Sequence, residues 1–394
     1  MKTNQPQKNN LAKWEVKKLS NLFTVKRGGS PRPIEHHITT KEDGLNWLKI
    51  GDIEVGAKYI TSTSSKILKE GLKKTTLVKP GDFILSNSMS FGRPYISKIE
   101  TCIHDGWLTF QKIDRNQIDQ DFLYYLLLHP NTQNIFSSVS AGSGVQNLKK
   151  ETVEDISLRF PPLPEQNRIV SVLETWDKAI EKLSKKIEVK KQIKKGLMQN
   201  LLTGKKRLKG FSDKWEIKKL GDISFIKKGD SITKKDITEG SVPVIAGGQQ
   251  PAYYHNQSNR TGKTITVSAS GAYAGYVNYY NQPIFVSDCT SIKEKDVDIN
   301  FIHLYLKLKQ QYIYSLQSGG AQPHVQPKDL QIIKIEFPKS KEEQTAIAKI
   351  FTTADNEIQE LEKKLRIIKD QKKYLLNNLI TGAIRTPEDM SSTK

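Results

Sequence analysis

Long apolar runs are absent from this sequence of 394 residues, and cysteine is scarce. Because no stretch reaches the roughly 18 apolar residues that a membrane-spanning helix needs, such a helix is excluded. The N-terminal MKTNQPQKNNLAKW has no apolar segment, so we do not expect a secretory signal. The two cysteines, Cys102 and Cys289, lie far apart without CxxC or CxxH neighbours. We therefore expect reduced core thiols, no structural zinc site and a cytoplasmic protein.

The sequence also lacks the short motifs of common catalytic sites. It contains no GxxxxGK[ST] phosphate loop, no GxGxxG after a predicted strand and no GxSxG nucleophile turn. The histidines form neither HxxxH nor HxH, and the tetrapeptide FPPL at 160–163 lacks the polar first residue of an adenine-methyltransferase motif. We expect a chain that catalyses nothing by itself and holds no metal or cofactor.

Acidic residues are in the minority. The chain has 62 Lys and Arg against 42 Asp and Glu, which gives a net charge of +20. Such an excess favours a polyanionic partner, because each neutralised phosphate releases counterions. The same composition fits a lysine-rich protein without such a partner, and charge alone does not distinguish DNA from RNA or an acidic protein.

Two segments of the sequence occur twice. KWEVKKLSNLFTVKRGGS, which begins at Lys13, returns as KWEIKKLGDISFIKKGDS at Lys214. Glu165–Gly204 returns as Glu343–Gly382, with 17 identical residues in 40 positions and no gap. These repeats predict two related modules, each followed by a related rod-like segment.

Each rod-like segment is predicted to be one long helix. Apolar residues recur four and three positions apart, as in a coiled-coil seam. Ser340 and Glu343 have the spacing of a capping box, and Gly204 and Gly382 stand where the helices should end. About 36 residues at ~1.5 Å each give a rod of ~54 Å. The candidates for helix pairing or partner docking are Trp176, Ile180, Leu183, Ile187, Ile358, Leu361 and Leu365.

We expect the two helices to cover each other's apolar seams as an antiparallel pair, with the halves related by a pseudo-two-fold axis. Seven lysines between Lys182 and Lys195 crowd the first helix. We expect them to form a solvated face, and the alternative is a docking surface for a partner or DNA.

The modules are predicted to be α+β. Short β-branched or aromatic stretches, such as GDFILSNS, DGWLTFQ, KTITVSAS and QPIFVSD, are separated by Gly, Pro and Asn turns. FLYYLLLHP and FIHLYLKLKQQYIYSLQ are predicted to be buried helices within the modules. Loops rich in Ser, Asn, Gln and Tyr connect these elements.

Polar loops recur at matching places in the two modules. Small residues let a backbone approach a nucleic acid, while Arg, Gln and aromatic side chains supply bidentate or stacking contacts. A basic pair beside glycine suits a phosphate clamp, and the alternative for each loop is a turn that only supports the sheet. The candidate nucleic-acid-binding residues are Lys26, Arg27, Ser86, Asn87, Ser88, Arg93 and His104 in the first module, and Lys227, Lys228, Gln249, Gln250, Ser268, Ser270, Tyr273 and Tyr276 in the second.

The modules diverge between their shared motifs. NWLKIG at Asn46–Gly51 corresponds only loosely to VPVIAG at Val242–Gly247, and Lys66–Lys79 has no obvious counterpart. Related scaffolds with different loops predict two readers of different sequences.

With these motifs the chain resembles the specificity subunit of a type I restriction–modification system over nearly its whole length. PPLPEQ at 161–166, opening a helix that ends in LLTG at 201–204, resembles the central conserved region of that family. The segment 343–382 resembles its C-terminal copy, and Trp14-Glu15 and Trp215-Glu216 resemble the starts of its two target-recognition domains. The resemblance implies domains at 1–160 and 208–338, spacer helices at 161–207 and 339–386, and a flexible tail at 387–394.

The resemblance also implies a mechanism. Each domain would read one half of a bipartite target in double-stranded DNA, and the length of the helices would set the distance between the two half-sites. Two methyltransferase subunits that bind S-adenosylmethionine would dock, and restriction subunits that use ATP and Mg²⁺ would join them. Two other functions remain open: a stand-alone DNA methyltransferase or endonuclease, and a basic nucleic-acid-binding coiled-coil scaffold.

Overall fold

The computed structural model of the protein describes residues 14–54, 56–87, 92–140, 147–233, 235–236, 238–320 and 322–390. Candidate Ser88 and residues 391–394 of the predicted tail lie outside this part of the chain. The chain divides into two compact units, Met1–Lys182 with Arg366–Lys394 and Leu183–Leu365. Each unit contains one module and one part of each long helix. The domain boundaries given above remain predictions.

Within its described residues, the first half of the chain forms three sheets, three short α-helices and a long α-helix. The sheet orders are β1-β12, β3-β6-β4-β10-β7 and β2-β11-β8-β9-β5. The strands are β1 Glu15–Lys18, β2 Thr24–Arg27, β3 Ile38–Thr39, β4 Leu45–Leu48, β5 Tyr59–Ile60, β6 Ser65–Ile67, β7 Thr76–Val78, β8 Phe83–Ser86, β9 Pro94–Ser97, β10 Thr101–Ile103, β11 Trp107–Gln111 and β12 Ser157–Phe160. The helices are α1 Gln120–Leu128, α2 Pro130–Ser140, α3 Lys150–Asp155 and the long α4 Leu163–Leu201.

The second half repeats this plan, but its two larger sheets have fewer strands. The sheet orders are β13-β21, β16-β15-β19 and β14-β20-β17-β18. The strands are β13 Glu216–Lys219, β14 Ser224–Lys228, β15 Val242–Ile245, β16 Tyr253–His255, β17 Lys263–Ser268, β18 Val277–Asn281, β19 Phe285–Val286, β20 Cys289–Glu294 and β21 Lys334–Phe337. The helices are α5 Leu220–Ile223, α6 Ile299–Leu308, α7 Gln310–Ser315, α8 Pro327–Gln331 and the long α9 Lys341–Thr381.

The strand orders confirm the predicted α+β repeat. The order β2-β11-β8-β9 of the first module matches β14-β20-β17-β18 of the second. The parallel pair of β4 and β10 likewise matches the parallel pair of β15 and β19. The duplicated sequence therefore folds twice into the same framework.

The predicted internal helices are buried, as their apolar sequences require. Phe122, Leu123 and Leu127 of α1 are fully buried, as are Phe301 and Ile302 of α6. Both helices begin alike: Asp119 accepts hydrogen bonds from the second and third backbone N–H groups of α1, and Asp298 does so in α6. An aspartate cap satisfies donors that a helix start otherwise leaves unpaired.

The long helices pack antiparallel within each unit, which confirms the predicted pair. In the first unit, Glu165 of α4 pairs with Arg385, which follows α9, and Asp177 of α4 pairs with Lys372 of α9. The residue number of the partner falls as that of the α4 residue rises, so the two helices run in opposite directions. The seam candidates Ile187 and Ile358 are buried. The other seam candidates are half-buried: Trp176, Ile180, Leu183, Leu361 and Leu365.

Five lysines of the run on α4 form the exposed face that we expected: Lys182, Lys185, Lys186, Lys191 and Lys195. Lys190 and Lys194 are half-buried. Lys190 pairs with Glu357 at 2.8 Å and Lys191 with Glu362 at 2.6 Å, and Lys194 pairs with Asp355. All three acids belong to α9. These three lysines therefore lie along the edge of the helix pair, because each forms an ion pair with an acidic side chain at the same level of α9.

A tryptophan–arginine–glutamate cluster with a buried glutamate closes the end of the helix pair in each unit. In the first, Arg385 forms a bidentate ion pair with Glu165 and lies over the Trp14 ring, 5.6 Å from its centroid. In the second, Arg207 binds Glu343 with N–O distances of 2.8 and 2.7 Å and lies 5.6 Å from the Trp215 centroid.

The glycines at the helix ends make room for these tryptophans. Gly382 has φ +74° and Gly204 has φ +66°, the left-handed conformation expected where a helix stops. A Cβ at Gly382 would lie 3.3 Å from Trp14, and one at Gly204 would lie 3.4 Å from Trp215. Both glycines thus terminate a helix and pack against the opening motif of a module.

The predicted capping box of α9 forms only in part. The Glu343 backbone N–H donates to Ser340 Oγ at 3.2 Å, as expected. The Glu343 carboxylate binds Arg207 instead of returning to the Ser340 backbone. The Glu343 side chain therefore belongs to the tryptophan–arginine–glutamate cluster, although its spacing from Ser340 predicts a capping box.

Both cysteines are buried and unpaired, which confirms the prediction of core thiols. Burial raises the pKa of the Cys102 thiol to about 11 and that of Cys289 to about 12. None of the helices in the described part of the chain combines the length and apolar character needed to cross a bilayer.

Candidate nucleic-acid interface

Three candidate residues of the first module, Arg27, Asn87 and His104, meet at the turn between β10 and β11. Gly28, after β2, donates its backbone N–H to Trp107 O at 2.8 Å, and a Cβ at this position would lie only 2.0 Å from His104 O. The glycine is therefore required by close backbone packing. Because β2 crosses the turn so closely, Arg27 lies beside Asp105 and its Nε donates to the Asp105 carbonyl at 3.1 Å. We name this turn, with the residues bonded to it, the Asp105 edge.

Asp105 is the centre of this edge. Ser30 Oγ donates to its carboxylate at 2.8 Å, and Asn87 Nδ2 donates to its carbonyl oxygen at 3.0 Å. Arg32 Nη2 lies 4.0 Å from the carboxylate. The hydrogen bond from Ser30 holds the pKa of Asp105 below its usual range, so the carboxylate is ionised at neutral pH.

His104 is held in one orientation beside two tryptophans. Its Nδ1 accepts the Gly106 backbone N–H at 3.0 Å, so in the neutral ring Nε2 carries the proton. Its ring centroid lies 6.1 Å from that of Trp47 and 5.8 Å from that of Trp107. Burial lowers the pKa of His104, which favours the neutral ring. The same side chain lines a cleft of about 810 Å³ together with Ser30, Arg32, Pro33, Ile34, Glu35 and Trp47.

Two candidates of the first module do not join the Asp105 edge. Lys26 is exposed on β2, and its charge partly offsets the rise in the Asp82 pKa that burial causes at the other end of β8. Arg93 is exposed and lines a second cleft with Lys58, Tyr95 and Glu174. Both positions are basic and open to solvent.

The second module builds the same edge around Asp288. Gly229 donates its N–H to Cys289 O at 2.8 Å, and a Cβ there would lie 1.9 Å from Ser287 O. Ala269 N–H donates to the Asp288 carbonyl at 3.1 Å, and Ser270 Oγ donates to the Asp288 carboxylate. This group is the Asp288 edge. Lys227 and Lys228 are exposed on β14, which leads into it.

Matching hydrogen bonds establish which residues in and beside the two edges correspond. Gly92 N–H donates to Ser86 O at 2.7 Å, as Gly275 N–H does to Ser268 O at 2.8 Å. Leu148 N–H donates to Asn87 O at 3.1 Å, as Val325 N–H does to Ala269 O at 3.0 Å. These bonds pair Ser86 with Ser268, Asn87 with Ala269 and Arg93 with Tyr276. His104 and Ser287 pack in the same way against Gly28 and Gly229, and Asp105 and Asp288 follow them in sequence. The first turn is one residue longer, because Gly106 separates Asp105 from β11, whereas β20 begins directly after Asp288.

The chemistry of the edges differs although their frameworks agree. Of these five pairs, three change residue type, and the serine and aspartate pairs do not. Ser86 and Ser268 are buried, and Ser268 Oγ donates to Gly247 O at 2.6 Å. These two serines therefore support the turn, and so do Asn87 and Ala269, which are also buried. The pairs that differ at the surface are Arg93 with Tyr276 and His104 with Ser287.

The remaining candidates of the second module surround the Asp288 edge at different depths. Gln249 and Gln250 are exposed after β15, where the Gln249 carbonyl accepts from Asn278 Nδ2 at 3.2 Å. Tyr273 is 45% exposed and therefore open to a stacking partner. Tyr276 is half-buried, with Lys307 Nζ 4.5 Å from its ring centroid, so its accessible face is smaller.

The candidates predicted from the sequence omit several residues that the structure places at the edges. Asp105 and Asp288 are central, Arg32 and Trp47 line the first cleft, and Arg260 supports the second edge. Arg260 Nη2 donates to Lys228 O at 3.1 Å and its Nε to Ser291 Oγ at 2.9 Å, with only 9% of the side chain exposed. The recurring His-Asp and Ser-Asp pairs were the available signal for the aspartates. In the described residues, no group of three or more His, Cys, Asp or Glu side chains is placed to hold a metal ion.

A family model of the type I restriction modification DNA specificity domain matches residues 12–191 and 212–369. The chain is 29% identical to the putative type I restriction enzyme MjaX specificity subunit of Methanocaldococcus jannaschii, over 94% of each chain. The crystal structure of a type I restriction–modification S subunit from M. genitalium gives a TM-score of 0.63 at 19% identity, covering 95% of this chain and 98% of that one. A chain solved in work on complex assembly and conformational transition of the type I R-M system gives 0.61 at 17% identity, covering 94% and 98%. The two solved chains are similar in fold.

Proposed function

This chain belongs to the type I restriction modification DNA specificity family, and we propose that it reads a bipartite DNA target, one half with each module. Membership in the family confirms the prediction of a non-catalytic subunit that recognises DNA. Under the proposal, the Asp105 edge reads one half-site and the Asp288 edge reads the other. The paired helices set the spacer between the half-sites.

One observation carries the bipartite target: two frameworks with the same hydrogen bonds present different side chains. Arg93 is exposed where the second module has the half-buried Tyr276, whereas Asn87 and Ala269 are both buried. Arginine forms bidentate contacts with bases, whereas tyrosine stacks on them. Two such surfaces favour two different base sequences.

We further propose that two methyltransferase subunits dock on this chain and that restriction subunits join them in the cell's cytoplasm. S-adenosylmethionine would then be bound by the methyltransferase subunits, and ATP with Mg²⁺ by the restriction subunits. The repeat supports two copies of the methyltransferase, because a duplicated framework offers the same kind of surface twice.

The test is a methylome. Genomic DNA from cells that express the partner methyltransferase is sequenced for methylated adenine, with and without this chain. We expect one split motif that appears only when the chain is present. Methylation that is absent, or that does not depend on the chain, would contradict the proposal.

A module exchange tests the assignment of the half-sites. Replacing residues 1–160 by the corresponding module of a relative should change one half of the motif and leave the other half and the spacer unchanged. The reciprocal exchange of residues 208–338 is the matched control. If either exchange alters both halves, the modules do not read independently.

A further inference from the structure

Each edge has an exposed aspartate whose carboxylate accepts a hydrogen bond from a serine hydroxyl. The two serines stand at different places in the two modules. Ser30 Oγ donates to Asp105 Oδ1 at 2.8 Å, and Ser270 Oγ donates to Asp288 Oδ2. Ser30 follows β2 in the first module, whereas Ser270 follows β17 in the second, so the serines do not correspond. Each aspartate follows one of two corresponding residues, His104 and Ser287, in a turn that is one residue longer in the first module. Both modules thus hold a carboxylate at this place by separate means.

The backbone of each turn is fixed without the carboxylate. Main-chain hydrogen bonds from Gly28 to Trp107 and from Gly229 to Cys289, both of 2.8 Å, hold the crossing strands. The Asp105 side chain remains 48% exposed after its contacts, and Asp288 is exposed. These carboxylates are therefore available to a ligand.

A carboxylate on a DNA-reading surface is repelled by phosphates, so it needs a hydrogen-bond donor on the DNA. In the major groove only adenine and cytosine present an amino group. Adenine also places the N7 acceptor beside its amino group, where it would face the second carboxylate oxygen. Cytosine has no acceptor on that edge. A carboxylate therefore fits cytosine best.

We propose that Asp105 and Asp288 each read a cytosine by accepting a hydrogen bond from its N4 amino group, with Ser30 and Ser270 as positioning residues. This inference rests on the proposed function and deepens it. It requires one C·G pair in each half of the target. The different neighbours of the aspartates then account for the remaining differences between the half-sites.

The test is Asp105→Asn in the full chain, assembled with its methyltransferase partner. Asparagine keeps the shape and the acceptor for Ser30, but its amide pairs in bidentate fashion with adenine. The preference for cytosine over adenine should fall about tenfold or more at one position, in the half-site read by the first module. Binding to four duplexes that differ only at that position, taken from the wild-type motif, measures the change. Asp288→Asn should do the same in the other half-site.

Matched controls separate recognition from loss of charge. Asp155→Asn and Asp296→Asn each remove one exposed carboxylate from the same modules, away from the edges, and should leave the motif unchanged. Ser30→Ala keeps the carboxylate but frees it, so discrimination at the same position should weaken without a change of preferred base.

Three results overturn the inference. The first is an Asp105→Asn chain that reads the wild-type motif with unchanged discrimination, and the second is one that loses affinity equally for all four duplexes. In both cases the wild-type motif stands, and with it the proposed function. The third is a wild-type chain that directs no motif, which overturns the proposed function together with this inference.

Discussion

Glu343 is a carboxylate that folding removes almost completely from water. It is 1% exposed, and Arg207, with 26% of its side chain exposed, neutralises it from one side. Glu165 and Arg385 repeat the arrangement in the first unit. Buried ion pairs contribute little net stability against apolar replacements, but removal of one partner leaves a charge without compensation. Their geometry therefore matters more than their energy, because each joins a helix start to a segment that follows the other helix.

Arg207→Met should destabilise the second unit by about 3 kcal/mol or more, because the Glu343 carboxylate stays buried without its cation. The double variant Arg207→Met with Glu343→Met should recover most of that loss, since no buried charge remains. Chemical unfolding followed by circular dichroism measures both. Lys349→Met, at an exposed position of α9, is the control and should change stability by no more than about 0.5 kcal/mol. A double variant as unstable as Arg207→Met alone would show that the arginine acts through packing.

At the scale of elements, α4 and α9 are joined to their modules by different contacts in the two units. In the first unit Lys58 binds Asp121 of α1 at 2.7 Å and Glu174 of α4 at 3.3 Å, while Tyr125 donates to Asp177 at 2.6 Å. In the second unit the position of Tyr124 is taken by His303, whose ring stacks at 5.0 Å on Tyr279 of β18, within the module. Both units share the apolar seam of the helices and the tryptophan–arginine–glutamate cluster.

The seam predicts a sharp contrast between two residues of α4. Ile187 is 6% exposed and Val189 is 45% exposed. Ile187→Ala should cost about 2 kcal/mol or more, because it removes buried methylene groups and leaves a cavity. Val189→Ala should be neutral or slightly stabilising, because alanine is the better helix former and little surface is uncovered. Thermal unfolding at 222 nm compares them, and equal losses would mean that the helix pair is not held through this seam.

The long helices were predictable because their signal is local and occurs twice. A heptad seam is recognised from the spacing of apolar residues alone. A second copy with 17 identities in 40 positions makes it improbable that this spacing arose by chance. The capping box shows the limit of such signals. Ser340 and Glu343 have the right spacing, but Arg207, 136 residues away from Glu343, takes the carboxylate.

At the scale of the whole molecule, the sequence indicated two modules with basic, polar loops but not which loop residues meet. Ser30 reaches Asp105 across 75 residues, and Asn87 reaches it across 18. Neither separation follows a helix or strand period, so a choice made from loop composition includes Lys26 and omits Asp105. Gly28 was predicted as part of a phosphate clamp, and its close approach to His104 O adds a packing requirement that composition does not reveal.

The net charge of +20 attracts DNA to the molecule as a whole, and each lysine that contacts a phosphate adds its own contribution to the affinity. Every phosphate that a lysine neutralises steepens the fall of log K with log salt by about 0.9, without regard to sequence. Replacing Lys227 and Lys228 by alanine should therefore flatten the slope by about 0.9 for each phosphate that is no longer neutralised. Binding should weaken equally for cognate and unrelated DNA. Titration at several salt concentrations measures this.

The double variant Lys363→Ala with Lys364→Ala is the matched control for charge, because it removes two adjacent exposed lysines of α9 in the same unit. If the basic pair on β14 binds phosphates, the control keeps the wild-type slope while the pair variant does not. If both variants flatten the slope equally, the positive charge acts as a diffuse field and the pair has no defined phosphate. If the pair variant instead changes which bases are preferred, Lys227 and Lys228 read the sequence directly, and the Asp288 edge extends along β14.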